Sequence, residues 1–168
     1  MALPRAPSFR LEGRRALAPG AGRGIGRAVA AALAEAGAEV VLAARSGAEV
    51  ETVAEAIRAR GEKVEALALA LALALDVTDT AAVACEVAAR GPFKVLVNNA
   101  GTNRPAELTA LTEADYDAVT DLNVRAAIFA CKAVAKGLLE AGLPAYPGLF
   151  IRVPDLVGGD GLNCGCGV

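Results

Sequence analysis

The sequence predicts an α/β fold, a doubly wound parallel sheet with helices on both faces, and three observations predict it. Short apolar runs of strand length alternate with stretches whose apolar residues recur at helical spacing. A glycine-rich turn, Ala18-Pro19-Gly20-Ala21-Gly22-Arg23-Gly24-Ile25-Gly26, lies between the first such run and the first such helix. A second turn of small residues, Asn98-Asn99-Ala100-Gly101, comes after the apolar run Val95-Leu96-Val97. Strands that alternate with helices pair in parallel through crossover connections, and those connections put helices on both faces of one sheet.

In chain order, residues 1–13, with Pro4 and Pro7, lead into a first strand at Arg15–Ala18, which is short and poor in β-branched residues. Gly20–Gly26 is the turn. Ile25, Ala28, Val29, Ala32, Leu33 and Ala36 then recur at helical spacing, and Gly37 stops the helix. Glu39–Ala44 contains Val40-Val41-Leu42, a buried-strand run, and Val50, Val53, Ala54 and Ile57 mark a second helix ending near Gly61. Thr80–Arg90 is a third helix and Phe93–Val97 the fourth strand. Thr112–Ala141 is mostly helical, with an apolar face of Ala118, Leu122, Ala126, Phe129, Val134 and Leu138. Gly148–Val153 is a candidate fifth strand, and from Pro154 the chain is glycine-rich without periodicity. The expected organisation is therefore one domain over 1–153 and an irregular Gly/Cys-rich tail over 154–168.

The third strand falls within Val64–Leu75, which carries an Ala-Leu repeat from Ala66 to Leu75. About five residues would suffice for a strand before Asp76. An even-numbered insertion keeps each side chain on its own face, so an overlong strand is one reading. A bulged loop and a helical turn are the others, since alanine and leucine favour helix.

Composition narrows the function classes. A chain of 168 residues can bury a core of its own, and with aromatics at 4% that core is aliphatic. A net charge of −2 without a basic run argues against nucleic acid or an anionic membrane surface as partner. Histidine is absent, which removes Ser-His-Asp and Cys-His nucleophilic sites and histidine metal sites together. Cys85 and Cys131 sit in helical patterns and read as small apolar residues, whereas Cys164-Gly-Cys166 lies in the tail and is a weak metal or disulfide signal. Met1–Arg10 lacks an apolar core of signal-peptide length, and the Ala-Leu run is too short to span a bilayer, so a soluble cytoplasmic protein is expected.

The glycine turn carries the chemistry. Gly20 allows a tight turn, Gly24 lets the backbone approach a pyrophosphate, and Gly26 lets the helix pack closely on the strand. The start of the helix then offers free N–H groups and a positive dipole end to the phosphates. Eighteen residues past Gly26 the second strand ends at Ala44-Arg45, where an NAD site usually has an acid for the ribose 2′-hydroxyl. Arg45 and Arg23, with Ala44 where that acid would sit, suit the 2′-phosphate of NADP rather than NAD. The competing reading makes both arginines solvated surface residues.

In this order, the glycine turn and Asn98–Gly101 resemble the short-chain dehydrogenase/reductase family over about residues 9–158. The resemblance implies a Rossmann-type fold and hydride transfer between a nicotinamide dinucleotide and a small carbonyl or alcohol. It implies that Ile25 joins the turn glycines at the cofactor, and that Asp76 accepts from the adenine amino group with Val77 backbone alongside. Asp76 also reads as a turn or helix-capping residue. By the same resemblance Asn98 braces the sheet, Ala100 and Gly101 leave room for the cofactor, and Asn123 is the helix asparagine of the catalytic set.

The rest of that catalytic set has no match. The serines are Ser8 and Ser46, and Asp155 stands at the family's serine position. Tyr116 and Tyr146 are followed four residues later by Thr120 and Phe150, not lysine, and the family tyrosine would fall near Val168. Pro19 replaces a threonine, and Lys94 enters the fourth strand where many members have an acid. The expectation is a C-terminally incomplete member that binds nucleotide and does not turn over alone. The alternatives are a non-catalytic nucleotide-binding or dimerising subunit and a defective truncated product. The fifth strand would then be an exposed edge, and 112–141, which resembles the family's dimer helices, implies a homo-oligomer.

Overall fold

The computed structural model describes residues 10–61, 70–143 and 149–152. Five strands, β1 (Arg15–Pro19), β2 (Glu39–Ala44), β3 (Ala70–Ala74), β4 (Val95–Asn98) and β5 (Leu149–Arg152), alternate with helices. The helices are α1 (Gly24–Glu35), α2 (Gly47–Gly61), α3 (Thr80–Arg90), α4 (Glu113–Thr120) and α5 (Ala126–Glu140). The strands form one sheet in the order β3-β2-β1-β4-β5, with every pairing parallel. Leu17 lies opposite Val41 on one side and Leu96 on the other, Val40 opposite Ala70, and Val95 opposite Leu149.

Successive strand residues feed two cores. Ala16, Ala18, Val40, Leu42, Val95 and Val97 pack with Ala30, Leu33 and Ala34 of α1 and Val50, Val53, Ala54 and Ile57 of α2. Leu17, Val41, Ala43 and Leu96 pack on the other face with Val83 and Val87 of α3 and Ala126, Ala130, Val134 and Leu138 of α5. Both faces of β1, β2 and β4 are thus covered, which is why these strands read as continuous apolar runs. Bonds from Gly37 N to Ala34 O and from Ala38 N to Leu33 O close α1 and turn the chain into β2.

The four apolar positions read for the second helix are the four that α2 buries. The first helix differs: α1 buries Gly26, Ala30, Leu33 and Ala34, while Ile25 is exposed. Alanine occupies both sides of this helix, so apolar spacing could not choose a face, and the closest contact falls at a glycine. Ala70–Ala74 of the Ala-Leu repeat is a strand of ordinary length, paired from Val40↔Ala70 to Ala44↔Ala74. Residues 62–69 lie outside the described residues, as does the tail from 153 with Asp155, Cys164 and Cys166.

The long helical stretch is two helices joined by a π-helical turn at Asp121–Arg125. Beyond it α5 buries Ala126, Val134 and Leu138 of the apolar face read in the sequence, with Ala130 at the i+4 position in place of Phe129, which faces outward at 38% exposure. Phe93 precedes β4 instead of opening it, yet is buried at 1% exposure.

Candidate functional site

At the carboxyl ends of the strands lies a cleft of about 1030 Å³. The chain runs from β1 to β2 and β3 on one side and reaches β4 and β5 on the other, so the cleft sits where the strand order reverses.

The glycine turn forms one wall. Pro19 ends β1 and brings no N–H, and Ala43 O instead accepts from Gly20 N at 2.7 Å and Ala21 N at 3.3 Å. Gly20 has φ +75, and a Cβ there would stand 2.9 Å from Ala100 Cα and N. Gly26 is held more tightly still: a Cβ would stand 2.2 Å from Gly20 O and 2.4 Å from Asn99 Nδ2. Asn99 Nδ2 itself donates to Gly20 O at 2.9 Å. The turn, the start of α1 and the end of β4 therefore meet at one point with no room for a methyl group.

That contact aims the start of α1 into the cleft. Arg23 is the N-cap in an extended conformation, without a side-chain capping bond, and the first turn carries no acid. The opening N–H groups and the positive dipole end are left for an anion. Gly24, at φ +55, borders open space, and Ile25 lines the cleft beside it.

The ends of β2 and β3 form the second wall. Ala44, Arg45, Ser46 and Glu49 line it, followed by Leu75, Asp76, Val77 and Thr78. Ser46 Oγ accepts from Glu49 N at 3.3 Å and starts α2. Arg23 and Arg45 are exposed, and neither forms a salt bridge among the described residues. Asp76 Oδ1 accepts from Thr78 N at 2.9 Å and from Thr78 Oγ1 at 2.8 Å. These two bonds hold the carboxyl below the usual carboxylate range, against the opposing effect of burial and with help from Arg45. The N-cap of α3 is Asp79, which accepts from Ala82 N at 2.9 Å, so Asp76 makes a turn at the cleft and does not cap the helix.

The loop after β4 is the third wall, with Asn99, Ala100, Gly101 and Thr102. Asn123 does not line the cleft. Its Oδ1 accepts from Thr102 N at 2.8 Å and its Nδ2 donates to Thr102 O at 2.8 Å. Both amide functions are engaged in fixing one backbone unit of the cleft wall.

Nine of the residues singled out in the sequence thus line one cleft: Gly20, Arg23, Gly24, Ile25, Arg45, Asp76, Val77, Ala100 and Gly101. Gly26 lies behind the turn. Asn98 belongs to β4 and donates to Cys131 Sγ at 3.3 Å, tying sheet to α5. The residue that reaches the glycine turn is its neighbour Asn99, just past β4, where Asn99 N donates to Val97 O at 3.0 Å and turns the chain. Asn99, Ser46 and Glu49 were missed in the sequence. The Ser-x-x-Glu spacing at the start of α2 was the signal for the last two. Among the described residues no cluster of metal-ligating side chains is present, and no helix is long and apolar enough to cross a membrane.

Comparison with known proteins bears on this site. Residues 14–143 match the family model described as short chain dehydrogenase. The chain is 40% identical over 138 residues to gluconate 5-dehydrogenase of Gluconobacter oxydans, covering 80% of this chain and 52% of that protein. It resembles the crystal structure of a short-chain type dehydrogenase/reductase from Mycobacterium marinum at 31% identity and TM-score 0.76, over 86% of this chain and 57% of that one. It also resembles a gluconate 5-dehydrogenase from Burkholderia cenocepacia J2315, solved with NADP and tartrate. There the identity is 37% and the TM-score 0.74, over 86% of this chain and 55% of the other. The chain spans about half the length of these relatives.

Proposed function

The chain belongs to the short-chain dehydrogenase/reductase family, and on that premise we propose that it binds NADP in the cleft beside the glycine turn. One observation carries the reading: Gly26 meets Gly20 O and Asn99 so closely that a Cβ would stand 2.2 Å from the carbonyl. That packing turns an uncapped helix start toward the cleft, where Gly24 and Ile25 present backbone to a pyrophosphate. Arg23 and Arg45 take the 2′-phosphate. Asp76, ionised and with Oδ1 engaged by Thr78, receives the adenine amino group, with Val77 backbone beside it. Ala100 and Gly101 keep side chains out of the path of the cofactor, and Asn98 braces the sheet beneath. Bound there, the nicotinamide would supply hydride exchange with a small carbonyl or alcohol.

Within these 168 residues Asn123 is the one member of the family's catalytic set with a match, and neither tyrosine has a lysine four residues on. The reading for these residues is therefore nucleotide binding. The exposed Tyr116, Val124, Ile128 and Leu139 support a second role, pairing with another copy through 112–141.

Calorimetric titration of the chain with NADPH and NADH tests the reading. NADPH should bind, and Arg45→Asp should weaken it about tenfold or more while NADH moves little. NADPH affinity unchanged by Arg45→Asp would remove Arg45 from the phosphate site. No binding of either nucleotide by a folded sample would remove the nucleotide reading.

A further inference from the structure

We propose that Glu49 is a specificity-determining residue of this cleft, one that holds down its preference for NADP over NAD. The inference rests on the nucleotide reading above. Glu49 lies in the first turn of α2 and lines the same wall as Ala44, Arg45 and Ser46. Its side chain lies against the glycine turn: a Cβ on Gly22 would stand 2.8 Å from Glu49 Oε2 and 3.1 Å from Glu49 Cβ. The missing side chain of Gly22 is what gives the carboxylate this place, on the wall it shares with Arg45 and against the turn that carries Arg23.

Glu49 is exposed and forms no salt bridge with either arginine among the described residues. Its charge is therefore not cancelled by a partner. A 2′-phosphate drawn to Arg23 and Arg45 meets that carboxylate at close range, and like charges repel with an energy that falls with distance and dielectric. A ribose 2′-hydroxyl meets no such repulsion and can donate a hydrogen bond to it. The two arginines attract the phosphate and the carboxylate opposes it. The outcome is a cleft that takes both nucleotides, with NADP ahead by less than two arginines alone would give.

The test is calorimetric titration of the full chain and its Glu49→Gln variant with NADPH and with NADH, at low and at high salt. Glu49→Gln should tighten NADPH about fivefold at low salt, leave NADH equal or weaker, and show a smaller gain at high salt. Because Glu49 is exposed, the substitution leaves both cores intact, and equal melting temperatures check this. NADPH affinity unchanged in Glu49→Gln, or both nucleotides shifted by the same factor, would overturn the assignment while leaving the nucleotide reading intact. Absence of binding to the unsubstituted chain would overturn both.

Discussion

Asp76 shows what single residues do here. Its neighbour Thr78 donates twice to Oδ1, through the backbone N–H and the hydroxyl, and the carboxyl is held below its ordinary range. A lowered folded-state value means that the turn between β3 and α3 gains stability above the ordinary carboxylate range. That gain is lost as pH falls through the folded value. Removing one donor with Thr78→Val should move the Asp76 midpoint up toward the ordinary range, as read by carboxyl carbon NMR across an acid titration. An unmoved midpoint would leave the backbone bond, with Arg45, as the cause. At this scale the sequence was legible where a residue's type is forced by space or charge. Gly20 and Gly26 stand where a Cβ would meet neighbouring backbone, and Arg45 and Asp76 line the cleft beside them. Asn99 was not legible, because Asn98 and Asn99 carry the same side chain and only the turn that ends β4 decides which one reaches Gly20.

Among the elements, legibility tracked the contrast between faces. In α2 charged residues separate Val50, Val53, Ala54 and Ile57, and the helix buries those four. In α1 alanine surrounds the axis, and the buried face was set instead by the close contact at Gly26. The π turn at Asp121–Arg125 left no trace in apolar spacing, since one extra residue in a helix rotates the pattern without interrupting it. Its consequence is visible at Asn123, which sits within the turn and holds the Thr102 backbone by two bonds of 2.8 Å each. Asn123→Ala removes both and leaves a part-buried N–H and C=O to find water. The expected cost is about 1–2 kcal/mol, concentrated in the loop after β4. Hydrogen exchange should show the Thr102 amide losing protection ahead of the sheet amides. Equal protection in both proteins would mean that the loop is held by something other than Asn123.

For the molecule as a whole, the distribution of apolar surface is the argument. The sheet and its two cores are closed around β1, β2 and β4, yet α4, the π turn and α5 expose Tyr116 at 61%, Val124 at 45%, Ile128 at 59% and Leu139 at 63%. Phe129 is a different case: Arg125 at 5.9 Å and Lys132 at 5.5 Å lie over its ring, and two cations keep that part of the surface hydrated. The opposite side of α5 is already committed to the core, so the outward residues have no partner within the described residues. Large apolar side chains exposed along one helical stretch are candidates for cover by association. Two copies related by a two-fold axis would each present the same patch to the other. Light scattering coupled to gel filtration should therefore give a mass above that of one chain, and Ile128→Asp, which places a charge on this face of α5, should reduce it to a monomer. The nucleotide cleft lies at the strand ends and does not include Ile128. NADPH affinity should accordingly be the same in the variant as in the unsubstituted chain, which separates loss of pairing from loss of fold. A monomer at every concentration before any substitution would refute the pairing of copies through this surface.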